Sequence, residues 1–355
     1  MKIKKQAFSK PFNIVFEDKY PNLLIGPGIF DKKEDVIENN PKKWILKDIK
    51  NIEENRKKQT FAYKNYSKKD AIMPNKNIQE IQWLVKSKKE TEIEVDLNTK
   101  KININDKIIG LNNKGNILEN IKITENIKVI KPIDKITSDS QIKAKDAMIE
   151  LYEKTKDVYK IEQLLSIGLL GLKKDRLFVP TRWSITSVDD ILGKSLFENI
   201  KNYSIIDEYK LFYYKFYDNE FYVFFMPYFW GFEMIEIKDN LVIGQDNEIN
   251  NLKKEYANSV MGAYYAARLI VLEKLKELNK SARIVIIRNI DKNYNSKGVW
   301  VIREALREAL KNEIKTFNNI EEMISFILNE INFKEILQKS EILKQIKSQK
   351  RLCDF

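Results

Sequence analysis

"EYKLFYYKFYDNEFYVFFMPYFWGFEMIEI", residues 208–237, decides the fold. Apolar and polar residues alternate through much of it, the two-residue period of a strand. Asp218-Asn219 reads as a hairpin turn and "MPYFWG" (226–231) as a second connection, so consecutive antiparallel strands are predicted. Beyond it the period changes. "LKKEYANSVMGAYYAARLIVLEKLKELN" (252–279) has the spacing of a long helix, "ARIVIIRNI" (282–290) that of a strand, and "VWVIREALREALK" (299–311) that of a second helix. The expectation is an α+β fold of antiparallel sheets with segregated helices, in two intimately packed regions.

Towards the N-terminus, "NIVFEDKYPNLLIGPGIF" (13–30) reads as strand, turn, strand. Residues 40–59 predict a helix with Ile45, Ile49 and Ile52 on one side, and 77–87 another with Ile78, Ile81, Trp83 and Leu84 apolar. Residues 92–130 alternate as a small antiparallel sheet with "NNKG" (112–115) as its turn. Residues 140–171 are helical until Gly168 and Gly171; 318–331 and 333–347 close the chain as amphipathic helices. These breaks suggest an N-terminal mixed region (1–137), a C-terminal α+β domain (138–332), and a last helix with a tail (333–355).

Composition is most informative in what it excludes. The 355 residues contain one cysteine, Cys353, and no histidine. An internal disulfide, a Cys/His zinc site, and Ser–His or Cys–His nucleophile pairs are all impossible within one chain. No cofactor is implied; a magnesium ion on carboxylates enters only if the protein is a nuclease. The net charge of +12 suits an anionic partner such as DNA. No apolar run approaches a membrane span, and "MKIKKQAFSKPF" lacks the apolar core of a signal peptide, so a cytoplasmic protein is expected, with no membrane partner.

The stretch "KKDRLFVPTRWSITSVDDILGKSL" (173–196) is densest in unusual residues. Lys173, Lys174, Arg176 and Arg182 could hold phosphates, and Asp189 with Asp190 a metal ion. Against the metal, adjacent side chains on a helix diverge by about 100°. Ser187 capping a helix at Val188, with Asp190 near its positive end, is the favoured reading of the acids. Trp183 is read as core. Arg268, in "MGAYYAARLIVLEKL" (261–275), sits among apolar neighbours and needs an anion: Glu233, Glu236 or a phosphate. Arg303 is a further nucleic-acid candidate, whereas Arg307 and Glu308 read as a solvated ion-paired face. Asp189, Asp190, Glu233 and Glu236 are the candidate acids of a nuclease.

The chain ends in "SQKRLCDF" (348–355). Gln349, Leu352 and Phe355 recur every three residues, so one 3₁₀ turn would project all three from one side. Glutamine, two residues, aliphatic, two residues, aromatic is the pattern of peptides that bind the DNA sliding clamp (PCNA), here without the usual second aromatic. Lys344, Lys347, Lys350 and Arg351 beside it suit an acidic partner surface.

Together "YPNLLIGPGIF" (20–30), "GLLGLKKDR" (168–176), "FVPTRWSITSVDD" (178–190), "MGAYYAARLIVLEKL" and "GVWVIREALR" (298–307) resemble the archaeal Nre-type DNA repair proteins. That resemblance implies a role in repairing DNA damage and a C-terminal clamp-binding peptide, in agreement with Gln349, Leu352 and Phe355. Many members resemble one another in an N-terminal four-cysteine motif, which this sequence lacks. The expectation is a repair factor recruited by PCNA, with a body that contacts DNA through Lys173, Lys174, Arg176, Arg182, Arg268 and Arg303. The alternatives are a magnesium-dependent nuclease and a clamp-tethered scaffold.

Overall fold

Alternating segments became strands, and they assemble into two sheets. The computed structural model describes residues 2–10, 15–17, 20–36, 41–106, 111–294, 296–329 and 334–348. It divides into two compact units, Met1–Leu192 and Gly193–Phe355. Residues 138–192, grouped by the sequence with the C-terminal domain, fall in the first unit. There Lys160 Nζ donates to the carbonyls of Val85 (2.7 Å) and Ser87 (3.1 Å).

The first unit holds a seven-stranded sheet of β1 (Lys2–Ser9), β2 (Val15–Glu17), β3 (Asn22–Ile25), β4 (Gly28–Ile29), β5 (Thr60–Ser67), β6 (Thr91–Asp106) and β7 (Leu111–Ile123). Its order is β1-β6-β7-β5-β3-β2, with β4 also on β5. "NNKG" lies inside β7 and is not a turn. Gly26 shows why the "IGPGIF" segment contains glycine: a Cβ there would sit 1.8 Å from the Ala62 carbonyl oxygen. The predicted helix at 40–59 is two, Pro41–Trp44 and Ile49–Lys57, because Asp48 accepts from the Lys50 N–H and starts a new helix. In the helix Lys76–Lys86, Ile78, Ile81 and Leu84 are buried and Trp83 is exposed.

The second unit holds a six-stranded sheet of β8 (Tyr209–Phe216), β9 (Asn219–Met226), β10 (Gly231–Lys238), β11 (Leu241–Ile249), β12 (Arg283–Ile290) and β13 (Glu313–Phe317), ordered β11-β10-β12-β9-β8-β13. The hairpin loop is Tyr217-Asp218, one residue earlier than predicted. Asn219 pairs with Phe216 across the ladder and accepts from Arg288 Nε at 2.8 Å, which draws it into the strand.

The antiparallel expectation needs correction: β10 and β12 are parallel, as are β5 and β7. The helix Gly262–Leu278 is the crossover that returns β12 beside β10. That helix begins ten residues later than its periodicity predicts. Asp246 accepts from the Ser259 and Val260 N–H groups, and Met261 takes φ 54°, so residues 252–261 are held as a loop.

Side-chain alternation gives the second sheet two buried faces. Leu211, Phe224, Ile235 and Ile287 meet Met323, Ile327, Ile336, Leu343 and Ile346 from the last three helices. On the other face Phe232 packs against Tyr264 (4.9 Å between centroids) and Phe216 against Trp300 (6.0 Å). Helices therefore cover both faces of this sheet. The expected helix at 333–347 is broken into Lys334–Lys339 and Glu341–Ser348 at the buried Ser340.

Candidate nucleic-acid interface

Pro180 fixes where the 173–196 stretch becomes helical. The helix Thr181–Ile200 starts directly after it, and the Pro180 carbonyl accepts from the Trp183 (2.8 Å) and Ser184 (3.0 Å) N–H groups. Ser187 and Asp190 are therefore inside the helix, and the capping reading of these residues is overturned. Asp189 is buried and Asp190 half-buried, and both have partners within the protein.

The reading of Trp183 as core is corrected too. Ser184, Val188 and Leu192 form the buried stripe at a spacing of four, about 100° from Trp183. Trp183 is 41% exposed and stands beside Tyr20, 49% exposed, with ring centroids 5.2 Å apart. Two cations flank the rings. Lys68 Nζ lies 4.7 Å from the Tyr20 centroid and donates to its hydroxyl at 2.9 Å; the Arg182 guanidinium lies 5.9 Å from the Trp183 centroid. Exposed aromatic faces between cations can stack unpaired bases while the cations meet phosphates. Lys173 and Lys174 lie on the exposed 3₁₀ turn Lys173–Asp175.

Arg176 has a different role. Its guanidinium donates to the carbonyls of Gly171 (3.0 Å), Thr137 (3.1 Å) and Asp139 (2.9 Å), which tie two loops together, and burial pulls its pKa down. Tyr20 and Lys68 escaped the sequence reading, because nothing in a linear pattern joins residues 20, 68 and 183.

In the second unit the charged candidates turn inward. Arg268 is fully buried and pairs with Glu248 at 3.1 Å, an acid that the sequence reading did not name. The Tyr264 and Tyr265 rings flank it at 5.8 and 5.3 Å. Glu236 pairs with Arg288 at 2.6 Å. Glu233 accepts from Gln245 Nε2 (2.7 Å), the Glu341 N–H (2.9 Å), the Ile342 N–H (3.3 Å) and the Ser340 hydroxyl. It thereby fastens the start of the last helix to β10, and burial pushes its carboxyl up. Being three apart on one strand, Glu233 and Glu236 point to opposite faces.

Arg303 is buried and partnered. Arg307, expected on a solvated face, meets Glu273 (3.1 Å) and Glu304 (2.8 Å). Among the described residues no group of three or more Cys, Asp or Glu side chains could hold a metal ion, and no helix is long and apolar enough to cross a membrane. Gln349, Leu352 and Phe355 lie outside the described residues.

The chain is thus a mixed α+β protein whose first unit carries an exposed aromatic pair flanked by two cations. Comparison makes this particular. "Archaeal Nre, N-terminal" matches residues 2–241 and "Archaeal Nre, C-terminal" residues 248–355, so the chain belongs to the archaeal Nre family. It is 31% identical over 339 residues to the DNA repair protein NreA of Archaeoglobus fulgidus, covering 92% of this chain and 85% of that one. It is 37% identical over 204 residues to NreA of Haloferax volcanii (54% of this chain, 49% of that one). A third relative, DNA repair protein NreB of Archaeoglobus fulgidus, is 33% identical over 237 residues (63% of this chain, 60% of that one). No solved structure matches the chain.

Proposed function

We propose that this protein is a DNA repair factor that contacts DNA through the Tyr20–Trp183 face and is recruited by the sliding clamp PCNA through Gln349, Leu352 and Phe355. Relatives named as DNA repair proteins support the role. The observation that carries DNA contact is the exposed aromatic pair between Lys68 and Arg182. Bases stack on such rings without regard to sequence, so single-stranded or locally opened DNA is the favoured ligand. The docked helix Glu341–Ser348, with Ile342, Leu343 and Ile346 buried, gives the tail a fixed point of departure.

Fluorescence anisotropy with labelled single-stranded and duplex oligonucleotides tests the DNA contact. Tighter binding to the single strand, weakening as salt rises, is expected. No binding to either at low salt would overturn it. Calorimetric titration of the clamp from the same organism tests recruitment: the full chain should bind, and a version ending at Lys347 should not. Binding retained after truncation would remove the tail from the proposal.

A further inference from the structure

A cavity of about 300 Å³ opens in the first unit. Ile130, Pro132, Ile133 and Tyr159 give it an apolar wall, and Lys160 lines it from the helix Val158–Ser166. The Lys160 amine is held in place: Nζ donates to the carbonyls of Val85 (2.7 Å) and Ser87 (3.1 Å). A neutral amine has two N–H bonds, so it keeps both carbonyls while its lone pair is left for a carbon electrophile. An ordinary lysine carries its proton at neutral pH and is a poor nucleophile; desolvation in a pocket removes that obstacle. Burial brings Lys160 down to about 8, although Asp157 opposes this and Lys10 adds to it.

Most other lysines of the lining are committed. Lys86 pairs with Asp134 at 2.8 Å and Lys154 with Glu150, and Lys10 has a partner within the protein. Lys88 is exposed, and no carboxylate among the described residues holds its side chain. A desolvated amine takes a carbonyl compound, and an open surface lysine beside it takes a phosphate. A sugar aldehyde flanked by phosphates is what a DNA strand presents where a base has been lost. That unit is smaller than a whole nucleotide, in keeping with a volume at the lower end of small-molecule sites.

We infer that Lys160 forms an imine with the ring-opened sugar of an abasic site in DNA and opens the strand on its 3′ side. The choice of DNA as the source of the aldehyde rests on the repair role proposed above; the amine chemistry does not. The lone pair of Nζ adds to the C1′ aldehyde carbon, and the carbonyl oxygen leaves as water with the two N–H protons, so that a C=N bond remains. Asp157, the carboxylate of the lining, takes the C2′ proton. The electron pair of that bond forms the C2′–C3′ double bond as the C3′–O bond breaks and the phosphate departs. Water then hydrolyses the imine, which restores the amine and releases the unsaturated aldehyde.

The test is borohydride reduction of the full chain mixed with a single strand carrying one abasic site, with the same strand intact, or with free deoxyribose phosphate, followed by peptide mapping of any adduct by mass spectrometry. The abasic strand should give an adduct on Lys160 and the intact strand none. The yield should rise as the pH passes through about 8, because the neutral amine is the nucleophile. Lys160→Arg keeps donors for the Val85 and Ser87 carbonyls and is unable to form an imine, so the adduct should be lost with the melting temperature little changed. Lys88→Glu should lower the yield with the abasic strand. No adduct, an adduct on another lysine, or an adduct kept in Lys160→Arg would overturn the inference, and an adduct with the free sugar phosphate alone would overturn its assignment to DNA. Anisotropy with the abasic strand separates this inference from the reading above: binding without an adduct sinks the imine, whereas no binding of any strand sinks the DNA contact.

Discussion

Arg182 and Arg268 show how differently the two units use the same side chain. Arg182 is exposed beside the Trp183 ring, whereas Arg268 is sealed against Glu248 and two tyrosines. The contrast extends to their neighbours. The first unit leaves Tyr20, Trp183, Lys173 and Lys174 in solvent; the second encloses Glu233, Glu248, Arg288 and Arg303. In the second unit charge holds strands, loops and the last helix in register, so removing a partner should reduce stability. In the first, removing a ring or cation should reduce binding and leave stability nearly unchanged.

The sharpest way to break this comparison is Arg268→Met. With its partner gone, Glu248 is left buried and uncompensated, at a cost of about 3–5 kcal/mol. Urea denaturation should show a clearly lower midpoint. An unchanged midpoint would mean that the pair is not structural and would reopen Arg268 as a ligand residue.

A smaller effect is expected from replacing Tyr20 and Trp183 together by alanine. For each base that no longer stacks, single-stranded DNA binding should weaken by about 1–3 kcal/mol, with thermal unfolding little changed because both rings are already exposed. Unaltered anisotropy titrations would remove the face from the DNA site.

The smallest effect should come from Lys173→Gln with Lys174→Gln. For each phosphate that a lysine no longer neutralises, the slope of log affinity against log salt should fall in magnitude by about one, with affinity little reduced at physiological salt. A slope identical to that of the unaltered chain would place these lysines off the DNA path.

Much of the fold was legible in advance. The strands of 208–237, the strand 282–290 and the helix at 299–311 follow from periodicity, because an element that buries one face must repeat its apolar residues at the element's own pitch. β1, β5, β11 and β13 were not read. β11, "LVIGQDNEI", carries Asp246 and Glu248, whose inward orientation depends on the Ser259 N–H and on Arg268. A polar residue satisfied by a distant partner looks in sequence like one satisfied by water. The same ambiguity hid the candidate site: Trp183 was read as core for its chemistry, yet it lies off the buried stripe of its helix.

The sequence alone determined what this protein is unable to build. Without histidine, and with one cysteine, these 355 residues cannot close an internal disulfide or assemble a Cys/His zinc site within one chain, since those require particular atoms. It also determined the α+β class and the family, because period and local motif are properties of neighbours along the chain. Only the tertiary structure decided which charges are internal and which rings are open. Burial depends on residues 20 to 163 positions apart meeting in space, as Tyr20 meets Trp183 and Arg268 meets Glu248, and no local pattern records those encounters.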